Sequence, residues 1–181
     1  MIPFQFSEES GEGRERENID TLVEKTRRHH IYQIAGPHGS GKSTLLLTLM
    51  NRYKDNGENV RHFVFNDQHR EIPGDLTSQA DQTFFIDGIE KLSYWKVFRL
   101  VTRLQRVIMT VHCPLSVLPV IYHTQPQFST FVRIVRQLAP EMAEETILRE
   151  VYDRSGGNFR TAFFELYDFW EFLVTRWRSD A

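Results

Sequence analysis

One stretch constrains this chain more than any other: Gly36-Pro37-His38-Gly39-Ser40-Gly41-Lys42-Ser43-Thr44. It fits G-x-x-x-x-G-K-[ST], a spacing that turns backbone N–H groups toward a phosphate chain. The flanks agree. Ile31-Tyr32-Gln33-Ile34-Ala35 ahead of it is apolar enough for a buried strand, and Leu45-Leu46-Leu47-Thr48-Leu49-Met50 behind it opens a helix. The glycines let the backbone curl around an anion. The helix start adds the positive end of its dipole. Lys42 is placed to reach β- and γ-phosphates, and Ser43 to offer its hydroxyl to Mg²⁺. A glycine-rich turn that merely precedes a helix would leave the agreement of strand, loop, Lys-Ser pair and helix unexplained.

A strand, loop and helix of this kind belong to a parallel sheet covered on both faces, and the rest of the chain supplies the material. Asn18 is placed to cap a helix through about His30, with Ile19, Leu22, Val23 and Thr26 on one face. Lys25, Arg27, Arg28, His29 and His30 cluster before the first strand, as a solvated face or as a phosphate contact. The helix after the loop is predicted from Ser43 to about Asn56, stopped by Gly57. Val60–Phe65 is predicted as the second strand, 66–80 as a polar loop containing Pro73 and Gly74, and Thr83–Asp87 as a buried strand ending in a carboxylate. Ser93 is placed to cap a helix bearing Val97, Phe98, Val101 and Leu104, with Arg99, Arg103 and Arg106 facing solvent. Val107–His112 is predicted as strand four.

Residues 113–127, with Pro114, Pro119 and Pro126, are predicted to form a long connection. Phe131–Leu138 fits a fifth strand or a helix equally well. After Pro140 the pattern becomes two helices, about 141–154 and 159–178, broken by Gly156-Gly157-Asn158. The first carries Ala143, Ile147, Leu148, Val151 and Tyr152. The second carries Ala162, Phe163, Leu166, Phe169, Trp170, Leu173 and Val174, a band broad enough to predict packing on both its partner helix and the sheet. The chain divides into a flexible arm over 1–17, with Phe4 and Phe6 as docking residues, a core over 18–139 and a helical lid over 140–181 hinged near Leu138-Ala139-Pro140.

Composition removes several function classes. A formal net charge of −2 does not point to nucleic acid or to an anionic membrane as partner. The single Cys113 excludes a disulfide framework within the chain and fits a reducing cytosol. No apolar run approaches the ~20 residues of a membrane span, and no signal sequence is evident. The expectation is a soluble, cytoplasmic protein.

Asp87, at the tip of an apolar strand, is the candidate second metal ligand beside Ser43. Glu90 follows three residues later and is the candidate to activate water; a cap for the next helix is the alternative. His112 ends strand four and is placed to sense a γ-phosphate or position water, with Thr110 a weaker candidate two residues back. Arg160 opens the second lid helix and is a candidate nucleotide contact.

On these residues the chain resembles small P-loop ATPases of the additional-strand catalytic E class, in the AAA+/STAND neighbourhood. Gly36 to Ser43 matches their Walker A loop. Phe84-Phe85-Ile86-Asp87-Gly88-Ile89-Glu90 is similar to the STAND-type Walker B, where the metal Asp is followed by Gly and a displaced acid. AAA+ proteins usually set Asp and Glu side by side. Val107–Pro114 resembles the sensor-1 strand with His112 at its polar position, and Ser155-Gly156-Gly157-Asn158-Phe159-Arg160 resembles the sensor-2 signature carrying Arg160. The resemblance implies a three-layer α/β P-loop NTPase with a parallel sheet of about five strands in AAA+-like order and a small C-terminal helical lid. It implies ATP and Mg²⁺ as ligands, with Lys42, Glu90, His112 and Arg160 as catalytic residues and Gly36 to Thr44 as the binding loop. It implies an ATPase switch or motor subunit that works through a protein partner or its own copies. Arg99, Arg103 and Arg133 are the candidates for an arginine finger. Two other classes compete: a small-molecule kinase, to which the lid would offer Arg149, Arg154 and Arg160, and a nucleotide-binding assembly module that does not hydrolyse.

Overall fold

The computed structural model describes residues 19–28, 30–72, 81–142 and 144–179, with side chains as far as 172. The expected arm over 1–17, His29, the turn at Pro73 and Gly74, Ala143, and the side chains of Leu173 and Val174 lie outside the described residues. Contacts group the chain into two compact units. The first runs through Gly36 and resumes over Lys42–His123; the second holds Pro37–Gly41 and everything from Thr124 onward.

The first unit is built on α1 (Ile19–Thr26), β1 (Ile31–Ala35), α2 (Lys42–Asp55), β2 (Asn59–Val64), β3 (Gln82–Asp87), α3 (Tyr94–Arg103), β4 (Arg106–Val111) and β5 (Val120–His123). Its five strands form one parallel sheet in the order β2-β3-β4-β1-β5. Strand alternation sorts the apolar side chains onto the two faces. Tyr32 and Ile34 of β1, Phe85 of β3 and Ile108 of β4 pack with Leu22 and Val23 of α1 and Leu45, Leu46 and Leu49 of α2. Phe84 and Ile86 of β3, with Val107, Met109 and Val111 of β4, pack on the other side with Leu100 of α3 and Leu104. The unit is therefore a three-layer α/β arrangement. The central strands β1, β3 and β4 are almost wholly buried, whereas β2 is an edge and half open.

Residues 113–127 are not only a connection, because β5 lies inside them. It is four residues long and set by pairing with β1, with a register shift between Gln33 and Ile34. The buried Gln33 side chain shapes the approach to it. Its amide donates to the carbonyls of Leu115 (2.8 Å) and Leu118 (2.7 Å), and its oxygen accepts the Leu115 N–H (2.9 Å). On α3 the inward side chain is Leu100, with Val97 and Val101 only partly covered; Phe98, expected inward, is exposed beside Tyr94 and Trp95. Ser93 occupies the cap position of this helix but makes no side-chain cap bond.

The second unit contains α4 (Phe128–Leu138), α5 (Glu145–Arg154) and α6 (Phe159–Ser179), with a 3-10 turn over Pro140–Met142. The ambiguous stretch at Phe131–Leu138 is thus a helix. Phe131, Val132 and Val135 pack with Leu148, Val151, Ala162 and Leu166, a contact set that a strand could not present from one face. The broad band on α6 does not behave as expected. Ala162 and Leu166 are buried, but Phe169 and Trp170 are 42% and 41% exposed, and Phe164, Tyr167 and Phe172 are more open still. Beyond Leu166 the described aromatics of α6 are uncovered.

Candidate functional site

The strand tips of the first unit bring four candidate residues together. Thr110 and Asp87 sit on adjacent strands, one step past the pairing of Ile86 with Met109. Thr110 Oγ1 donates to Asp87 Oδ1 (2.6 Å) and accepts the Gly88 N–H (3.0 Å). One Asp87 oxygen is fixed in this way. Gly88 then takes a left-handed turn, φ 74°, at the start of the 3-10 turn Ile89–Lys91. A Cβ at this position would collide with the Phe65 carbonyl oxygen, so only glycine fits. The turn carries Glu90 back to the tip of β4, where His112 Nε2 lies 2.7 Å from Glu90 Oε1.

His112 also meets the loop lysine. Its Nδ1 is 3.4 Å from Lys42 Nζ. An ammonium only donates, so Nδ1 is the acceptor and Nε2 carries the hydrogen given to Glu90. Lys42, His112 and Glu90 form one hydrogen-bonded chain. Lys42 is buried at the head of α2. Burial pulls its ammonium below the ordinary lysine value, and the carboxylates of Glu90 and Asp87 oppose that shift.

The tip of the glycine loop is held inside the second unit. Ser40 Oγ donates to the Pro37 carbonyl (2.8 Å), so the buried Thr124 hydroxyl must donate to Ser40 Oγ (2.6 Å). Gly39, at φ 69°, lies so close to Asn158 that a Cβ would strike its Oδ1. Asn158 is at the same time the cap of α6, accepting the N–H groups of Arg160 (3.1 Å) and Thr161 (3.3 Å). Arg160 is exposed in this unit, and its backbone is what Asn158 engages. The sequence pattern marks neither Asn158 nor Thr124 as a site residue; Asn158 stands out there only in the break Gly156-Gly157-Asn158 and in the stretch resembling a sensor-2 signature, where Arg160 is the candidate.

Among the described residues no group of three or more His, Cys, Asp or Glu gathers as a metal site. A magnesium ion held by one hydroxyl, one carboxylate and substrate phosphates needs no such group. Ser43, exposed in the first turn of α2, and Asp87 are of the right chemistry for it. Among the described residues no helix is long and apolar enough to cross a membrane. No protein-family model and no curated protein sequence matches the chain, so its function has to be argued from its own residues.

Proposed function

We propose that the chain binds ATP with Mg²⁺ and hydrolyses it, working as a switch or motor subunit through a protein partner or its own copies. The observation that carries this reading is the linked chain Lys42–His112–Glu90 beside Asp87, at the C-terminal tips of a parallel sheet and at the end of a glycine loop. Doubly wound sheets bind ligands at that edge. The strand order, with β1 between β4 and β5 and β3 next to β4, supports the resemblance to the AAA+/STAND class.

In this reading the loop N–H groups and Lys42 hold the β- and γ-phosphates. Ser43 and Asp87 would hold Mg²⁺, which supplies charge neutralisation at the phosphates when bound. Phosphate drawing on Lys42 weakens its hold on His112, while His112 keeps Glu90 in place through Nε2. Glu90 accepts the proton of the attacking water. Arg160 is the candidate cation of the helical unit.

The test is calorimetric titration with MgATP and a phosphate-release assay on the full chain. Lys42→Ala is expected to weaken binding by about 2–4 kcal/mol, the range for truncating one partner of a desolvated charge pair. Unchanged affinity in that variant overturns the reading. Phosphate appearing on a small-molecule acceptor instead of in solution would favour the kinase, and binding without release the assembly module.

A further inference from the structure

We infer that Asn158 and Thr124 are positioning residues of the phosphate-binding loop, so that the helical unit sets the affinity of the loop for its ligand. The inference rests on the ATP-binding reading and adds the means of its regulation. The loop tip, Pro37–Gly41, belongs by its contacts to the unit that contains α4, α5 and α6. Two features hold it there. Thr124 donates to Ser40, which in turn donates to the Pro37 carbonyl, and this relay ties the loop tip to the segment leading to α4. Asn158 lies against Gly39 at a distance only glycine allows.

The identity of residue 158 separates the two tasks it performs. As a cap, aspartate would serve as well as asparagine and would gain from the helix dipole. Against a loop that takes phosphate, aspartate is the wrong choice, because its full negative charge would sit beside the site. The neutral amide satisfies the N–H groups of Arg160 and Thr161 without opposing the ligand. A residue that only capped α6 would carry no such requirement.

Movement of the loop tip on phosphate binding is then felt first at Asn158 and Thr124, and through them at the start of α6 and the segment leading to α4. Loosening either contact leaves the loop sequence intact but costs affinity, since the loop must find its binding form each time.

The experiment uses the full chain, MgATP as probe, and three measurements: melting temperature, Kd by calorimetry, and kcat at saturating MgATP. Asn158→Asp is expected to melt at or above the parent temperature while its Kd rises at least ten-fold, with the rise shrinking in high salt. Thr124→Val, which keeps the shape and loses the hydroxyl, is expected to raise Kd about three- to ten-fold. Both should keep kcat. If the parent fails to bind, or Lys42→Ala binds as tightly as the parent, the ATP reading falls. If the parent binds through Lys42 but both variants bind like the parent, that reading stands and the positioning role is overturned. Should Asn158→Asp melt early, Thr124→Val decides, and an unchanged Kd there overturns the inference.

Discussion

The strand tips and the loop tip arrange polar groups in different ways. At the strand tips, side chain meets side chain: Thr110 with Asp87, and Lys42 with His112 and Glu90. Parallel pairing fixes where each strand ends, so these groups are delivered by the register of β3 and β4 and by one glycine turn. At the loop tip no strand does the placing. Gly39 and Ser40 are held by residues far along the chain, Thr124 and Asn158. The difference teaches that the strand tips are set by the register of the sheet, whereas the loop tip is set by side chains of its own unit; on the proposed ATP-binding reading the first would supply the chemistry and the second the cradle.

The sharpest way to break that comparison is kinetic. Glu90→Gln is expected to lower kcat by roughly 10²–10⁴-fold, the usual worth of a general base, with Kd for MgATP little changed. Gly39→Ala is expected to do the reverse, raising Kd and sparing kcat, because its methyl group would push Asn158 off the loop. If the two variants change the same parameter, the division between chemistry and cradle is lost.

A smaller effect compares glycines. Gly88 and Gly57 share a left-handed backbone, with φ 74° and φ 79°. A Cβ at Gly57 meets nothing within 4 Å, whereas one at Gly88 runs into the backbone of Phe65. Gly57→Ala is expected to cost about 1–2 kcal/mol from conformation alone. Gly88→Ala is expected to cost roughly 2–4 kcal/mol more than that, since backbone must shift. Urea midpoints at constant m-value measure both. Equal midpoints would mean that Phe65 yields freely.

The smallest effect sharpens the account of the strands. Thr83 Oγ1 is buried with no hydrogen-bond partner among the described residues, although its strand is the one that carries Asp87. Thr83→Val is expected to stabilise by about 1 kcal/mol, which at this chain length raises Tm by roughly 2–4 °C. Thr110→Val, on the neighbouring strand, is expected to destabilise, because the Gly88 N–H and Asp87 Oδ1 lose their partner. Thermal melts of both variants check the contrast in sign.

The legible parts were those decided locally. Ile31–Ala35, the loop and the helix behind it follow from periodicity and one motif, and so do β3 and β4 with Asp87 and His112 at or next to their ends. Glu90 was placed in the candidate set by spacing, but only the turn at Gly88 shows how it reaches His112. β5 was missed because four residues between Pro119 and Pro126 carry too little pattern; pairing with β1 and the bonds of Gln33 make it a strand. α4 stayed undecided because Val132, Ile134 and Val135 suit either period, and only partners on α5 and α6 choose. Asn158 and Thr124 were invisible as loop contacts because their partners lie more than eighty residues away, a separation no local pattern encodes.

The fit of Gly88 under Phe65 also bears on how such a site can change over generations. An acid directly after Asp87 would need a side chain at position 88, where the Phe65 carbonyl allows none. No single substitution can therefore walk the acid from position 90 to position 88. The end of β2 and the turn after β3 would have to be rebuilt together, and every intermediate would carry either a broken turn or no acid beside His112. One backbone oxygen thus holds position 88 to glycine and leaves Glu90 as the first acid after Asp87.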